Sequence, residues 1–502
     1  MLSDERYTDL EELVAREQSR VSVEGEVALP GGLREEVRVL MTDADCALIF
    51  SEAQSGYVGV KGRALFHVLY TQGEPKHPKC IETSVDFSQQ IEAKLCESGM
   101  SAESDAQVES VEASVYGGRL RLSAVILLTA DVTRQYAALT VTADGNERGL
   151  ECRYDKVTMT RVVGGGSKEE TLRDVFPISE DIPVSETLYG KGTVTVQDVA
   201  GGEGRSMVSG NIEIYAYHAS EDNEAPVILT RHTMPYSTAV ELSGRQGDEM
   251  IAQAHLMDLA VMSAVDKDAG RLLRVEATLI VRVKVLSHQT ENYLRDAYTT
   301  EGDPIAARQS AYPVISVNED VIAEERFKAV IKTGENVRNA LAASITPKSV
   351  NPSPQQGRCV VSGEMDSETV YTTMNDELHT AKQALPYQII MRCDIPKDTP
   401  VMLEISEIEA APVSGDRIEL KCLVKMRAHS VETNIMNAVS SAEIAAHEEQ
   451  SGIYLYRPQK NETAWDIAKK YRVTEGELSR ANIGAFENGI PECVTVFKRK
   501  AL

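Results

Sequence analysis

Metal-binding and redox cysteine motifs, membrane-spanning runs and a secretory signal are all missing from this 502-residue sequence. None of the eight cysteines belongs to a CxxC pair, so neither a zinc knuckle nor a thioredoxin-like motif is indicated. His77 and Cys80 have a metal-like spacing, but no second pair completes four ligands, and we expect no metal and no cofactor. Apolar runs stay well below the roughly 18 residues that span a bilayer. Because the N-terminal stretch also lacks the apolar core of a signal peptide, we expect the protein in the cytosol.

Basic residues are too few to balance the acidic ones, and the formal net charge is −25. The imbalance is uneven. Residues 452–502 contain nine lysines or arginines against six acidic residues, a local charge of +3, which leaves −28 for the remainder. An acidic body repels nucleic acid and anionic lipid surfaces. We therefore expect no nucleic acid among the partners.

Catalytic motifs are missing as well. The glycine-rich stretch at 164–168, GGGSK, lacks the spacing of a phosphate-binding loop and is interpreted as a flexible joint. No histidine accompanies a nucleophile motif such as GxSxG. We expect no enzymatic activity; the alternative is a catalytic site assembled in space within the body of the protein.

What the chain does contain is a recurring long strand that follows a glycine turn. These strands read RLRLSAVILLTADV after Gly118, RLLRVEATLIVRVKV after Gly270 and DRIELKCLVKMRAH after Gly415. Apolar and polar residues alternate along them, which is typical of an antiparallel sheet with one face on a core.

Two further markers recur upstream of each long strand. A glycine at a strand start is followed by an aromatic residue 25, 26 and 24 positions later, in the pairs Gly62 and Phe87, Gly210 and Tyr236, Gly363 and Tyr387. Such regular spacing predicts three copies of one domain. The predicted fold is therefore mainly β, with three tandem antiparallel β-sandwich-like repeats.

The last fifty residues follow a different pattern. Thr463 with Asp466, and Thr474 with Glu477, are each a threonine with an acid three residues later, which predicts two short helices at 463–471 and 474–482. Apolar runs at 453–456 and 494–497 flank them, so a small βααβ domain is expected. Its predicted core contains Trp465, Ile467, Leu478 and Ala481, the first being the only tryptophan of the chain.

This tail resembles a LysM module, on the basis of Tyr454, Trp465, Tyr471, Asn482 and Pro491 in the family order. LysM modules bind N-acetylglucosamine chains between the loop before the first helix and the loop after the second. The resemblance implies a partner or glycan groove at Asn461, Glu462, Thr463, Asn482, Ile483, Gly484 and Ile490. The sequence departs from the family at Lys460 to Thr463 and at Glu492, where a glycine is usual.

The repeats resemble the SPOCS domain of spore-forming bacteria, on the basis of residues 21–40, the strand GRALFHVLY, the Pro-Tyr-Ser marker at 235–237 and the triplet Asp296-Ala297-Tyr298. Tandem SPOCS-like domains before one LysM-like module resemble the architecture of SipL-type spore coat morphogenetic proteins. The predicted boundaries are 1–145 for the first repeat with an N-terminal helix, 146–300 for the second repeat, 301–440 for a divergent third repeat, 441–451 for a linker and 452–502 for the LysM-like domain.

The resemblance implies a structural adaptor in the mother-cell cytosol at the forespore surface, joining a coat ATPase of the SpoIVA type to other coat proteins. The LysM-like tail would be the principal docking surface, and its cations Lys469, Lys470 and Arg472 are the candidate contacts. The alternative is a protein that binds peptidoglycan or N-acetylglucosamine chains through the same tail.

Overall fold

The computed structural model describes residues 2–30, 36–73, 77–143, 149–202, 204–220, 222, 225–244, 249–266, 270–318, 320–393, 395, 398–429, 431–445, 451–483, 486 and 491–498. Nearly all of these lie in antiparallel β-strands, and two short helices occur near the C-terminus. The predicted mainly β fold is thus confirmed. The alternating sequence favours it, because one face of each strand can pack on a core while the other meets water.

The first unit consists of two three-stranded sheets packed face to face. Its strands are β1 (Leu2–Ala28), β2 (Val37–Gln54), β3 (Tyr57–Gln72), β4 (Pro78–Glu92), β5 (Ser101–Tyr116) and β6 (Arg119–Ala143). One sheet has the order β1-β6-β5 and the other the order β2-β3-β4. Their inner faces enclose one core, which includes Phe66, Ile91 and Ile126.

The second unit has the same strand order. Its strands are β7 (Leu150–Pro177), β8 (Val184–Gly202), β9 (Arg205–Ser220), β10 (Val227–Glu241), β11 (Ser243–Gly244), β12 (Glu249–Asp266) and β13 (Gly270–Thr299). The sheets are β11-β7-β13-β12 and β10-β9-β8. Apart from the two-residue β11, each strand corresponds to one of the first unit, around a separate core.

The third unit repeats this order with its long strands interrupted. Its strands are β14 (Ile305–Val317), β15 (Val321–Lys332), β16 (Val337–Gln355), β17 (Arg358–Thr373), β18 (Leu378–Met391), β19 (Val401–Ser414), β20 (Arg417–Ala428) and β21 (Val431–Ile444). The sheets are β15-β20-β19 and β16-β17-β18, and β14 pairs with β21 as a separate ribbon. The third unit also has a hydrophobic core that is separate from those of the first two units.

The recurring glycine and aromatic markers are direct cross-strand partners in all three units. Gly62 pairs with Phe87, Gly210 with Tyr236 and Gly363 with Tyr387. Each aromatic side chain covers its glycine so closely that an added Cβ would lie within 3.0 Å of one of its ring or hydroxyl atoms. A ring that packs over a strand glycine replaces the side chain that the glycine lacks. The marker pair is therefore a packing unit of the sandwich.

Three sequence-based expectations about local structure are wrong. The expected N-terminal helix is strand β1, which pairs with β6 along its whole length and buries Leu10 completely. Helix-favouring residues in this stretch are overridden by strand pairing, because propensity is weak beside tertiary contacts. The expected linker at 441–451 starts with strand, since β21 continues to Ile444.

The GGGSK stretch at 164–168 is the third correction. It lies inside β7, where Gly164 and Gly165 pair with β11. A Cβ on Gly166 would lie 1.9 Å from the carbonyl oxygen of Glu241. The glycines therefore allow close backbone approach and do not form a flexible joint.

Buried side chains of the three units pack against one another in several clusters, and two of these show how the units are arranged. The first combines the ends of the paired strands β1–β6, β7–β13 and β14–β21, which we call the three ribbons, through residues such as Leu10, Met159 and Met436. Reciprocal hydrogen bonds from Tyr136 to Pro313 O (2.6 Å) and from Tyr312 to Leu139 O (2.5 Å) join the first ribbon to the third.

The second cluster includes Leu69, Tyr217 and Val370. Each lies seven residues after the marker glycine of its unit. Equivalent positions of the three units thus meet at one place, which gives the body an approximate threefold arrangement.

The tail folds as expected from its sequence. It consists of β22 (Gly452–Tyr456), α1 (Ala464–Tyr471), α2 (Glu475–Ala481) and β23 (Val494–Lys498). Thr463 and Thr474 are the N-caps, and each forms a capping box with the acid three residues later. Antiparallel β22 and β23 complete the predicted βααβ order.

Candidate functional site

The tail lies against the end of the second ribbon, and Trp465 is the centre of this contact. The indole Nε1 donates a hydrogen bond of 2.7 Å to Asp296 Oδ2. The ring of Tyr298 meets the indole edge-on, with centroids 4.9 Å apart. Both Trp465 and Tyr298 are buried, in a core shared with α1, α2 and β23. The only tryptophan therefore joins the tail to the body.

Polar contacts surround this aromatic pair. Lys469 Nζ lies 2.5 Å from the other carboxylate oxygen of Asp296, and the Tyr298 hydroxyl donates to Val473 O at 2.8 Å. Arg472 donates to Thr299 O at 2.9 Å and to a further carbonyl oxygen of the same loop. Burial, together with nearby carboxylates, raises the pKa of Tyr298, so its hydroxyl stays protonated and able to donate.

These contacts change the interpretation of the three cations predicted as docking contacts. Arg472 is buried, with 9% of its surface exposed, and Lys469 is engaged with Asp296. Lys470 alone among them is exposed, with its Nζ 4.2 Å from the ring centroid of Tyr456. A hydrogen bond to the Tyr456 hydroxyl raises the pKa of Lys470. Two of the three side chains thus hold the tail to its own body.

The predicted groove residues before α1 surround the helix start. Asn461 is exposed and has a φ of 70°, and the carboxylate of Glu462 accepts hydrogen bonds from the Tyr456 hydroxyl and from Gln459 N. Thr463 is the cap of α1. Glu462 and Thr463 therefore shape the loop, while Asn461 can reach a ligand.

The predicted groove residues after α2 are only partly described. The Asn482 amide donates to Leu478 O and Thr495 O and accepts from Thr495 N, so it ties α2 to β23. Ile483 is 91% exposed. Gly484 and Ile490 lie outside the described residues. The side chain of Asn482 thus stabilises the fold of the tail. Glycan binding at this groove stays a prediction.

The free face of the tail is the outer side of its two-stranded sheet. Ile453 and Leu455 are 69% and 76% exposed, and Phe497, the cross-strand partner of Ile453, is 52% exposed. Their neighbours Tyr454 and Tyr456 point inward to the core. We call Ile453, Leu455 and Phe497 the tail patch. Adjacent apolar side chains on a free face are typical of interaction sites.

Sequence reasoning identified Trp465 and the Asp296-Ala297-Tyr298 triplet separately but not their contact. Trp465 and Asp296, which form the hydrogen bond, are 169 residues apart in the sequence. Neither motif contains a signal that identifies the other as its partner. An acid near the end of long strand β13, directly before Ala297 and Tyr298, was the available signal, because a carboxylate that becomes buried needs a donor.

No group of side chains in the described part of the chain is arranged to hold a metal ion. Over the same residues, no helix is long and apolar enough to cross a membrane.

Comparison of the whole chain with curated proteins and with solved structures gives no match. A family model, in contrast, matches residues 37–116, and its description is SipL, SPOCS domain. The matched residues are strands β2 to β5, the central part of the first sandwich. The match covers 80 of the 502 residues, so it shows the similarity of this part of the chain to a SPOCS domain.

Proposed function

We propose that this protein is a non-enzymatic adaptor of spore coat assembly, which docks on a coat basement-layer ATPase of the SpoIVA type through its LysM-like tail. The SPOCS match at 37–116 supports a role in sporulation. The orientation of the tail is the observation that supports the proposed docking site. Its Trp465 face is buried against the second unit, and its tail patch is left exposed.

The composition of the tail patch favours a protein partner over a glycan. Ile453, Leu455 and Phe497 offer apolar side chains without hydrogen-bonding groups. Sugar chains need polar partners for their hydroxyl groups, whereas protein interfaces have apolar centres. Exposed Lys470, whose Nζ lies over the ring of Tyr456, adds a positive charge to the surface of the tail. A partner surface with apolar residues beside carboxylates would fit.

The second and third units would serve as further SPOCS-like contacts for coat proteins. They share the strand order of the matched unit. Several weak contacts on one chain give a high overall avidity, which suits a scaffold. We place the protein in the mother-cell cytosol at the forespore surface, where such partners assemble.

The test uses the full chain, because the tail core includes Tyr298 of the body. The immobilised protein is offered the purified ATPase in one arm and N-acetylglucosamine oligomers in the other. We expect capture of the ATPase and none of the oligomers. Leu455→Asp should abolish capture because it places a charge in an apolar contact.

The matched control is Lys79→Glu, an exposed change on β4 of the first unit, which should leave capture intact. Tryptophan emission checks that Leu455→Asp leaves the tail docked. Equal capture by the Leu455→Asp variant would exclude the tail patch. Binding of oligomers without the ATPase would favour the glycan function, with Asn461 as the first groove residue to change.

A further inference from the structure

The outer face of the large sheet in the second unit carries two exposed apolar residues with an arginine between them. Val175 of β7, Arg274 of β13 and Met262 of β12 are direct cross-strand neighbours. All three are exposed, Val175 by 49% and Met262 by 63%. We call these three residues the outer row. It lies near the start of β13, whereas the tail contacts the other end of that strand.

The apolar surface continues towards the glycine turn. The next cross-strand row on the same face consists of apolar residues that are exposed or half-buried, namely Pro177, Leu272 and Ala264. Contiguous apolar side chains on an exposed face are typical of interaction sites.

Arg274 is a cation without a counter-charge. Within the described residues its guanidinium forms no hydrogen bond and no ion pair. Glu276, the next residue of β13 on this face, is held by Arg173 at 2.7 Å. The positive charge of the outer row is therefore not matched by a carboxylate of the same sheet.

The first unit shows what an arginine at this position pairs with. Arg121 is the equivalent of Arg274, since each directly follows the first fully buried leucine of its long strand. Its neighbour on β1 is Glu26, which accepts a hydrogen bond of 3.0 Å from Arg121 Nε. In the second unit, Val175 stands where the first unit has Glu26. The second unit thus keeps the arginine and lacks its carboxylate.

The third unit also matches its charges at this position. Its equivalent residue is Glu419, which pairs with Lys328 and with Lys421. Over the part of the chain that the structure describes, the second unit therefore differs from the other two in presenting an unmatched charge here.

We infer that the outer row binds a partner protein through a carboxylate flanked by apolar side chains. The carboxylate would pair with Arg274 as Glu26 pairs with Arg121, and the apolar side chains would pack on Val175 and Met262. Arginine is enriched at the centres of protein interfaces. The inference rests on the proposed adaptor role only in giving the second unit a protein as its partner.

A second copy of this chain fits the outer row less well. Closed dimers are mostly isologous, so the same surface of each copy meets the other. Two arginines would then face each other at the centre of the contact, without a carboxylate between them. A different protein can supply the acid that this face lacks.

Binding is measured by NMR on the full chain labelled at its methionine methyl groups, because Met262 then reports on the outer row directly. Exposed Met374 of the third unit is the internal reference, and replacing each methionine by leucine identifies its signal. The probe is a blocked heptapeptide with glutamate at its centre, leucine at the second and sixth positions and serine elsewhere. These three side chains face the same side of an extended peptide. We expect the peptide to shift the Met262 signal and to leave that of Met374 in place.

Two matched peptides separate the charge from the apolar contact. One has glutamine at its centre, and the other has serine in place of both leucines. Half-saturation of the Met262 shift should need a concentration at least about tenfold higher with either peptide, because each lacks one of the two contributions.

Two variants locate the bound carboxylate. Arg274→Gln removes the charge and should raise the half-saturation concentration about tenfold. Val175→Glu supplies the missing carboxylate from the chain itself, as Glu26 does in the first unit, and should have the same effect. The matched control is Arg121→Gln, which changes the paired arginine and should leave binding unchanged. Circular dichroism establishes that each variant is folded.

The inference is overturned if the glutamate peptide leaves the Met262 signal in place, if either matched peptide saturates at the same concentration, or if the folded Val175→Glu protein binds as the unchanged protein does. A Met262 signal that shifts as the protein itself is concentrated would assign the outer row to a second copy and would also overturn it. Capture of the ATPase by the tail is measured separately, so either proposal can fail without the other.

Discussion

Trp465 contributes to the tail core and to the joint with the body at the same time. Its ring packs within the helices of the tail, while its Nε1 reaches Asp296 of the second ribbon. Because Asp296 also holds Lys469, one carboxylate satisfies two donors. Asp296 therefore holds the tail together with Tyr298 and Thr299, the other body residues that contact it.

At this scale we predict that Asp296→Ala releases the tail. The buried indole N–H and the Lys469 ammonium would lose their acceptor, at a cost of about 3 kcal/mol. As the chain has one tryptophan, its fluorescence reports the contact directly. Emission should shift to longer wavelength and become more accessible to iodide.

Asp155→Ala is the matched control, since Asp155 lies on the same ribbon but pairs with the exposed Arg295. Its emission should equal that of the unchanged protein. An Asp296→Ala protein with unshifted emission would show that the contacts of Tyr298 and Arg472 are sufficient to hold the tail.

The marker pairs show that the packing of a strand can require a glycine, which has no side chain, at one position. At Gly210, an added Cβ would lie 1.9 Å from Thr195 O and 2.9 Å from the Tyr236 ring. The Tyr236 hydroxyl donates to the same Thr195 oxygen at 3.2 Å. The glycine, the ring and strand β8 therefore form one closely packed unit.

We predict that Gly210→Ala lowers the free energy of unfolding by about 2 kcal/mol, because the strand must shift to relieve the overlap. Urea unfolding followed by circular dichroism measures it. Gly202→Ala, where nothing lies within 4 Å of the added atom, should leave the midpoint within error. If the Gly210→Ala protein is as stable as the Gly202→Ala protein, strand β8 can shift without lowering the free energy of unfolding.

The elements also show where local sequence is a sufficient guide. Both tail helices begin at the predicted capping threonines, since a capping box satisfies the first N–H groups without any distant partner. Strand β1 is the opposite case. Its residues favour a helix in isolation, and only pairing with β6, 91 to 141 residues further along the chain, makes it a strand.

At the scale of the whole molecule, a charged network joins the three units. His429 of the third unit bonds to Asp320 at 2.9 Å and to Glu103 of the first unit at 3.2 Å, and Glu103 also pairs with Lys284 of the second unit. Burial alone would lower the pKa of His429, but the two carboxylates outweigh it and raise the pKa to about 10. The imidazolium is therefore the charged form at neutral pH.

This network predicts a loss of stability at alkaline pH. A folded pKa above the ordinary value of 6.5 means that the contribution is complete below about pH 6.5 and disappears as the pH rises towards 10. The unfolding temperature should fall between pH 6.5 and pH 9.5. His429→Gln should remove most of that slope, because the variant has no proton to lose.

His77→Gln, at an exposed position, is the matched control and should keep the slope of the unchanged protein. Parallel pH profiles for the His429→Gln and His77→Gln proteins would show that the network does not stabilise the body in this range.

The sequence by itself determined what depends on near neighbours: the alternating strands, the capped helices, the three marker pairs and the βααβ order of the tail. Period two and a capping box are local properties, so they can be read from the chain. Only the tertiary structure decided that equivalent positions of the three units meet in one cluster, that β1 is a strand, and that Lys469 and Arg472 contact the body. Each of these depends on groups that are far apart in the sequence meeting in space, and no local pattern records which groups meet.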